Sequence, residues 1–504
     1  MRHTTGGGTA LPAPPGRSER KRGAAGRDRD HGPRLSLGAV MPGEWRRRPR
    51  RPGPDAEVGA RARVVIVGAG FGGLECARGL DGAAADVLLV DRSGYHLFTP
   101  LLYQVATALL NPSEIAYPLR AMFRKSPNVR VRAAAVTGVD FDRRVVRAAP
   151  GAEISYDYLV LATGSANDYH GDRQLAGNSI GLKTLEDGTR LRNHVLGCLE
   201  RADSETDPGE RRALLTFVVA GGGPGGVEYS GALTELLTLV AGRDYPTVGL
   251  ADTRVLLVQS ASRLLTAFPA RLGHYAERTL ARRGVDIRVK THISAADGQQ
   301  VTLSDGSAVS ARTLVWAGGV APLVPSAEPE PETVRGGRVR VDEFLRVPGA
   351  RGAYALGDAA AAGQDGRQLP MVSAPAIQAG RYIAKAIRSD LRGDEAGPPF
   401  RYLDKGKMAT IGRNAAVAQL RGGLQLTGFA GWLAWLSVHI WYLAGLRNRV
   451  LALASWAWYY LRLDRPIRII VQTRPDPIVA TLLDPCPGGK RPAAALTGDG
   501  GRAQ

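Results

Sequence analysis

Two stretches carry residues suited to chemistry: "VVIVGAGFGGLECA" from Val64 to Ala77 and "FVVAGGGPGGVEYSG" from Phe217 to Gly231. Each is an apolar run, a Gly-x-Gly-x-x-Gly turn and the opening of a helix, the pattern that holds a dinucleotide pyrophosphate on helix N-terminal amides. In the first, Gly68 permits the tight turn, Gly70 lets the backbone approach a pyrophosphate, and Gly73 lets helix pack on strand. A second apolar strand, "ADVLLVD", ends in Asp91, 18 residues after Gly73, where a carboxylate can accept from a ribose diol. In the second unit the glycines are Gly221, Gly223 and Gly226, and the following strand, "TRVLLVQ", ends in Gln259 instead of an acid. A carboxylate there would repel a 2′-phosphate and an amide does not, so NADH and NADPH both stay open.

Two such units in one chain imply hydride transfer between two dinucleotides, with FAD held in the first unit and NAD(P)H exchanging in the second. "YDYLVLATGS" (156–165) and "ARTLVWAGGV" (311–320) are strand-then-glycine segments suited to the returns between two nucleotide domains. "GAYALGDAA" (352–360) sets Gly357 and Asp358 after an apolar strand, where an acid can hold a ribityl or pyrophosphate group.

The elements that must position these loops fit an α/β chain. With 504 residues, 44% of them hydrophobic, it can bury two or three cores. Its net charge is +19, of which +8 falls up to Ala62, in a segment of fourteen Arg and Lys against six Asp and Glu. That segment has no apolar periodicity and reads as a solvated, disordered extension, or as residues upstream of a start at Met41. No signal-peptide core follows the early arginines. Cys76, Cys198 and Cys486 are scattered with no CxxC, which argues against a disulfide framework, a metal site or a redox dithiol and fits a cytoplasmic setting. Five of the seven tryptophans (Trp432, Trp435, Trp441, Trp456 and Trp458) fall between Gly428 and Arg465, interspersed with arginines. The apolar run from Phe429 to Leu446 approaches spanning length, yet Ser437 and His439 sit near its middle. Helices lying in a membrane interface are expected, with an aromatic soluble core and a transmembrane pair as alternatives.

The chain resembles the two-dinucleotide-binding-domain flavoproteins, and more narrowly the type II, non-proton-pumping NADH:quinone oxidoreductases. The resemblance rests on "GAGFGGL", "DRSGYHLFTPLLYQVATALL", "YDYLVLATGS", "LKTLEDG", "GGGPGGVE", "YALGDAA", "PAIQAG" and "DKGKMATIGR", in order from Gly68 to Arg413. It implies two doubly wound, Rossmann-like nucleotide-binding domains, the second inserted in the first, plus a C-terminal membrane-associating helical segment. The expected division is 1–62 basic extension, 63–190 and 321–400 FAD-binding, 191–320 NAD(P)H-binding, 401–475 membrane-anchoring and 476–504 disordered tail.

The resemblance extends the non-covalent FAD contacts to Gly72, Arg92, Pro100, Ala162, Thr163, Gly164 and Ala376, and the NAD(P)H contacts to Gly318. Glu228 matches the family glutamate near the nicotinamide, where it could orient the amide or relay a proton; on residue type alone it is equally an exposed first-turn acid. Thiol-disulfide reductases and sulfide:quinone oxidoreductases need cysteines that are missing beside the flavin. The quinone motif, usually Ala-Gln-Pro-Ala-x-Gln, appears as Ser373, Ala374, Pro375, Ala376, Ile377 and Gln378, so one glutamine is lost. That segment opens a helix whose N-terminus faces the flavin in the family. His439 and Lys405 are weaker candidates for protonation. Membrane lipid, quinone and a homodimer partner are implied, at the cytoplasmic face of the cell membrane. The alternatives are a reductase of a ferredoxin- or rubredoxin-type protein and a nucleotide-sensing nucleic-acid-binding protein; nucleic acid is not the expected partner.

Overall fold

The computed structural model describes residues 61–471 apart from Leu463 and Pro466. Met41, Cys486 and the two terminal segments expected to be disordered, except residues 61 and 62, lie outside the described residues. Helices α1 (Phe71–Gly79), α2 (Leu185–Ser204), α3 (Pro224–Val240), α4 (Ser373–Leu391), α5 (Gly428–Tyr442) and α6 (Leu446–Arg462) carry or brace the sites.

The first glycine loop leaves the central strand of a five-stranded parallel sheet. Its order is Ala353–Ala355, Tyr158–Leu161, Ala62–Val67, Ala85–Asp91, Val129–Ala133. The second loop leaves the middle of another, ordered Ile180–Gly181, Thr313–Trp316, Thr216–Ala220, Arg254–Gln259, Val285–Val289. All strands of the second sheet fall in the gap between Leu161 and Ala353, so one sheet is inserted within the other. The second sheet takes Ile180–Gly181 from before residue 191.

The central strands are buried on both faces, as their continuous apolar runs require. Val64 and Ile66 point into a core with Leu74 and Ala77 of α1 and Ile383 and Ile387 of α4. Val65 and Val67 point the other way, onto Val139, Val146 and Ile154. Here the structure corrects the doubly wound expectation. Those last three residues belong to a small sheet of Ser326–Glu328, Val136–Asp140, Val145–Ala148 and Ala152–Ser155, so strands and not helices cover this face. The second sheet repeats the arrangement, its Val218, Leu256 and Leu314 meeting Ile293, Val301 and Leu303 of a three-stranded sheet. A parallel sheet needs apolar cover on its second face, and alternating strands supply it as well as a helix does.

After α4 the chain forms an antiparallel sheet of Gly406–Gly412, Ala415–Leu420 and Gln425–Thr427, then α5 and α6. The apolar run from Phe429 to Leu446 is not one helix. It breaks at Gly445, whose φ of +85° suits glycine and whose absent side chain makes room for the ring of Tyr117. Arg449 secures the break by donating to the carbonyls of Leu443 (2.8 Å) and Trp441 (2.9 Å). Among the described residues no helix is long and apolar enough to cross a membrane.

Candidate functional site: two nucleotide loops

The first loop lies at the carboxyl end of its sheet, and each glycine has a distinct physical task. Gly68 has φ +99°, and a Cβ there would collide with the Ala162 carbonyl; a Cβ at Gly73 would collide with the carbonyl of Gly68. Gly70 is different: no protein atom lies within 4 Å of where its Cβ would be. It is also the N-cap of α1 and makes no side-chain capping bond, so the first-turn amides stay available to an anion. Gly72 serves packing, since its Cβ would meet Leu356 and, at 2.9 Å, the Ala376 carbonyl. Asp91 shapes the loop directly. Its Oδ2 accepts from Ala69 N–H at 2.8 Å and its Oδ1 from Ser93 N–H at 2.7 Å, which leaves lone pairs for a diol.

Of the other first-site residues, Ala162, Thr163 and Ala376 lie against this loop. Ala162 is buried, the Thr163 hydroxyl donates to the Leu323 carbonyl, and Gly164 adopts φ +71°. Gly357 (φ +65°) leaves 3.3 Å between its would-be Cβ and that of Ala376, so the Gly357–Asp358 turn and the start of α4 converge on α1. Pro100 lies in a short turn, Thr99–Leu101, and Arg92 is exposed. An open Gly70, uncapped α1 amides and a carboxylate at the second strand's end fit a dinucleotide such as FAD.

The second loop repeats this geometry. Gly221 has φ +103°, Gly226 packs on the Gly221 carbonyl, and Gly223, the uncapped start of α3, again has no protein atom within 4 Å. Gln259 Oε1 accepts from Gly222 N–H at 2.9 Å, the counterpart of Asp91 on Ala69. With its oxygen so engaged, the amide presents a donor outward. Arg263 follows four residues later, but its guanidinium is spent on the carbonyls of Leu264, Leu265, Thr266 and Phe268. A Cβ at Gly318 would lie 3.1 Å from the Trp316 ring.

Glu228 is not the exposed first-turn acid that its sequence position allows. It is 8% exposed, and Oε1 accepts from Thr410 N–H at 3.2 Å. Burial pushes its carboxyl up to about 8, while the Thr410 amide and the nearby Trp435 indole pull the other way. That indole N–H is buried and has no partner in hydrogen-bonding geometry. Trp435 stacks on His439 with ring centroids 4.0 Å apart, and His439 Nδ1–H donates to the Trp435 carbonyl at 2.6 Å. Burial drives His439 down to about 4, so it is neutral. Tyr103 closes the group 6.4 Å from Trp435, its phenol raised by burial and by Glu228. Thr410, Tyr103 and Trp435 were not legible as neighbours of Glu228, although each lies in a segment that sequence reading singled out.

At the start of α4, Ser373 and Ala374 are partly exposed and Val372, the N-cap, makes no side-chain capping bond. Gln378 sits one turn on, with its amide braced on the main chain of Leu403: Nε2 donates to the carbonyl and Oε1 accepts from the N–H, both at 3.0 Å. A quinone oxygen would meet Gln378 only through the second amide hydrogen. Cys76 and Cys198 are buried free thiols, both raised by burial, Cys198 to about 12.

Comparison with known proteins gives the family and the fold. The profile of the pyridine nucleotide-disulphide oxidoreductase family matches residues 62–380. The chain is 36% identical over 419 residues to the type II NADH:quinone oxidoreductase NdhA of Mycobacterium tuberculosis, covering 80% of this chain and 88% of that one. It is 30% identical to the mitochondrial internal alternative NAD(P)H-ubiquinone oxidoreductase A1 of Arabidopsis thaliana, covering 79% and 84%. The solved structure of NDH2 from Plasmodium falciparum in complex with NADH shares the fold with a TM-score of 0.75, at 18% identity, over 81% of this chain and 99% of that one.

Proposed function

We propose that this chain, which belongs to the pyridine nucleotide-disulphide oxidoreductases and within them to the type II NADH:quinone oxidoreductases, passes two electrons from NADH to a quinone at a membrane surface. The balanced reaction is NADH + H⁺ + quinone → NAD⁺ + quinol. One observation carries the reading: two glycine loops of matched geometry, each pinned by the residue ending the next strand, sit in one chain that lacks a CxxC. Bound FAD supplies the two-electron carrier chemistry between nicotinamide and quinone.

The chain's own residues supply grip, orientation and proton placement. Gly70 and Gly223 let main chain approach the two pyrophosphates, and the α1 and α3 amides face them. Glu228 holds a proton at neutral pH, on Oε2, since Oε1 is engaged by Thr410. A protonated carboxyl donates a hydrogen bond, which suits orientation of a nicotinamide carboxamide. NADH is the better substrate, because Arg263 is committed to carbonyls and offers no cation to a 2′-phosphate; NADPH is tolerated, because Gln259 carries no charge to repel it.

Attachment to lipid uses α5 and α6. Most exposed large apolar side chains among the described residues fall between Phe429 and Val471, with Trp441 74%, Leu446 77% and Leu461 79% exposed. Such a surface is too apolar for water and suits an interfacial pair of helices on the cytoplasmic, NADH-containing side of the membrane. The half-exposed start of α4, with Ser373, Ala374 and Gln378, is the candidate quinone contact. The test is anaerobic stopped-flow mixing of purified chain with NADH, then with short-chain quinone in detergent. Bleaching of the yellow flavin and its return on adding quinone are expected. A colourless preparation that cannot be reconstituted with FAD, or a flavin that NADH leaves oxidised, overturns the proposal.

A further inference from the structure

The segment "LKTLEDG", residues 182–188, supplies none of the contacts assigned so far. It lies where strand Ile180–Gly181 of the second sheet gives way to α2. Thr184 caps α2 reciprocally: its Oγ1 accepts from Asp187 N–H at 3.0 Å, while Asp187 Oδ2 accepts from Thr184 N–H at 2.9 Å and Lys183 N–H at 3.1 Å. This box fixes the main chain of Lys183. From that anchor, between the second sheet's strand Ile180–Gly181 and α2, the Lys183 ammonium lies 3.6 Å from Asp358 Oδ2, which follows strand Ala353–Ala355 of the first sheet. The same carboxylate oxygen accepts from the Ser165 hydroxyl, and both side chains are partly buried, Lys183 28% and Asp358 15% exposed.

Three separate segments, contributing Ser165, Lys183 and Asp358, therefore meet at one oxygen. A partly buried carboxylate beside a group that must accept electrons opposes added negative charge. A cation at salt-bridge distance offsets part of that opposition, in addition to the buried Arg338 guanidinium beside Gly357. We propose that Lys183 is a positioning residue that balances Asp358 and so raises the electron affinity of the flavin Asp358 anchors. The inference rests on the reading of Asp358 as a flavin contact.

The experiment compares the midpoint potential of bound flavin, by dye-referenced reductive titration, in full-length wild type, Lys183→Met and Lys183→Arg. A shift to more negative potential in Lys183→Met, with Lys183→Arg close to wild type, is expected. Equal potentials in all three proteins overturn the proposal. If Lys183→Met retains no flavin while Lys183→Arg is fully yellow, a requirement for charge is supported; if both are colourless, shape and not charge is required and the proposal fails. A wild type that binds no flavin refutes the reading of the site instead.

Discussion

The indole N–H of Trp456 donates to the side-chain oxygen of Gln104 across 2.7 Å. Both residues are buried, and Gln104 in turn donates to the Tyr103 hydroxyl at 2.7 Å. The C-terminal helices are thus bound to the short helix Leu102–Ala106, which shares a core with α2 and α3, and are not merely appended. Trp456→Phe keeps the ring contacts but leaves the Gln104 oxygen unpaired, which should cost about 1–3 kcal/mol in thermal or urea unfolding. In Gln104→Leu combined with Trp456→Phe the losses should be less than additive.

Gln259→Glu should keep the bond to Gly222 N–H while adding a charge that repels a 2′-phosphate. The ratio of kcat/KM for NADPH to that for NADH should fall by at least about tenfold, roughly 1.4 kcal/mol of discrimination. An unchanged ratio would count against Gln259 as the ribose-facing residue.

Glu228 has a folded-state pKa above its ordinary value, so between about 4.5 and about 8 the folded chain holds a proton that the unfolded chain releases. Stability contributed by the neutral carboxyl is therefore lost as pH rises through that window. Relative to Glu228→Gln, wild type should lose on the order of 4 kcal/mol between pH 5 and pH 8.5, and little beyond. Denaturant melts of both proteins across that range would reveal a flat difference if the carboxyl were charged at neutral pH.

Gly70→Ala and Gly73→Ala separate fold from ligand. A Cβ at Gly70 meets no protein atom, so the FAD-stripped protein should keep its Tm while its affinity for FAD drops. Gly73→Ala drives a methyl into the Gly68 carbonyl and should lower the Tm of the stripped protein as well. Equal Tm losses in both variants would contradict these assignments.

Changing Trp441, Leu446 and Leu461 together to Ser removes the three most exposed large apolar side chains of α5 and α6. Each contributes roughly 1.5–3 kcal/mol when buried in an apolar phase. Partition onto lipid vesicles should weaken at least about 100-fold, while turnover with a water-soluble quinone persists. Undiminished sedimentation with vesicles would remove these helices as the attachment surface.

Much of this chemistry was legible in the residue string because it is local. A Gly-x-Gly-x-x-Gly turn must follow its strand and open its helix within a dozen residues, so Gly68, Gly70, Gly73 and Asp91 declare themselves, as do Gly221, Gly223 and Gln259. Continuous apolar runs such as Val64–Val67 likewise announce strands covered on both faces. What covers those faces was not legible, because strands and helices satisfy the same apolar demand. Nor was the state of Glu228: a first-turn glutamate is ordinarily exposed, and its burial depends on the packing of distant segments, among them those of Thr410 and Trp435, more than 180 residues away. The partners of Gln378 and Lys183 were hidden for the same reason. Side-chain type and short spacing follow from the order of residues, but burial and long-range pairing arise only when distant segments pack, and those decide which charges and donors remain available for chemistry.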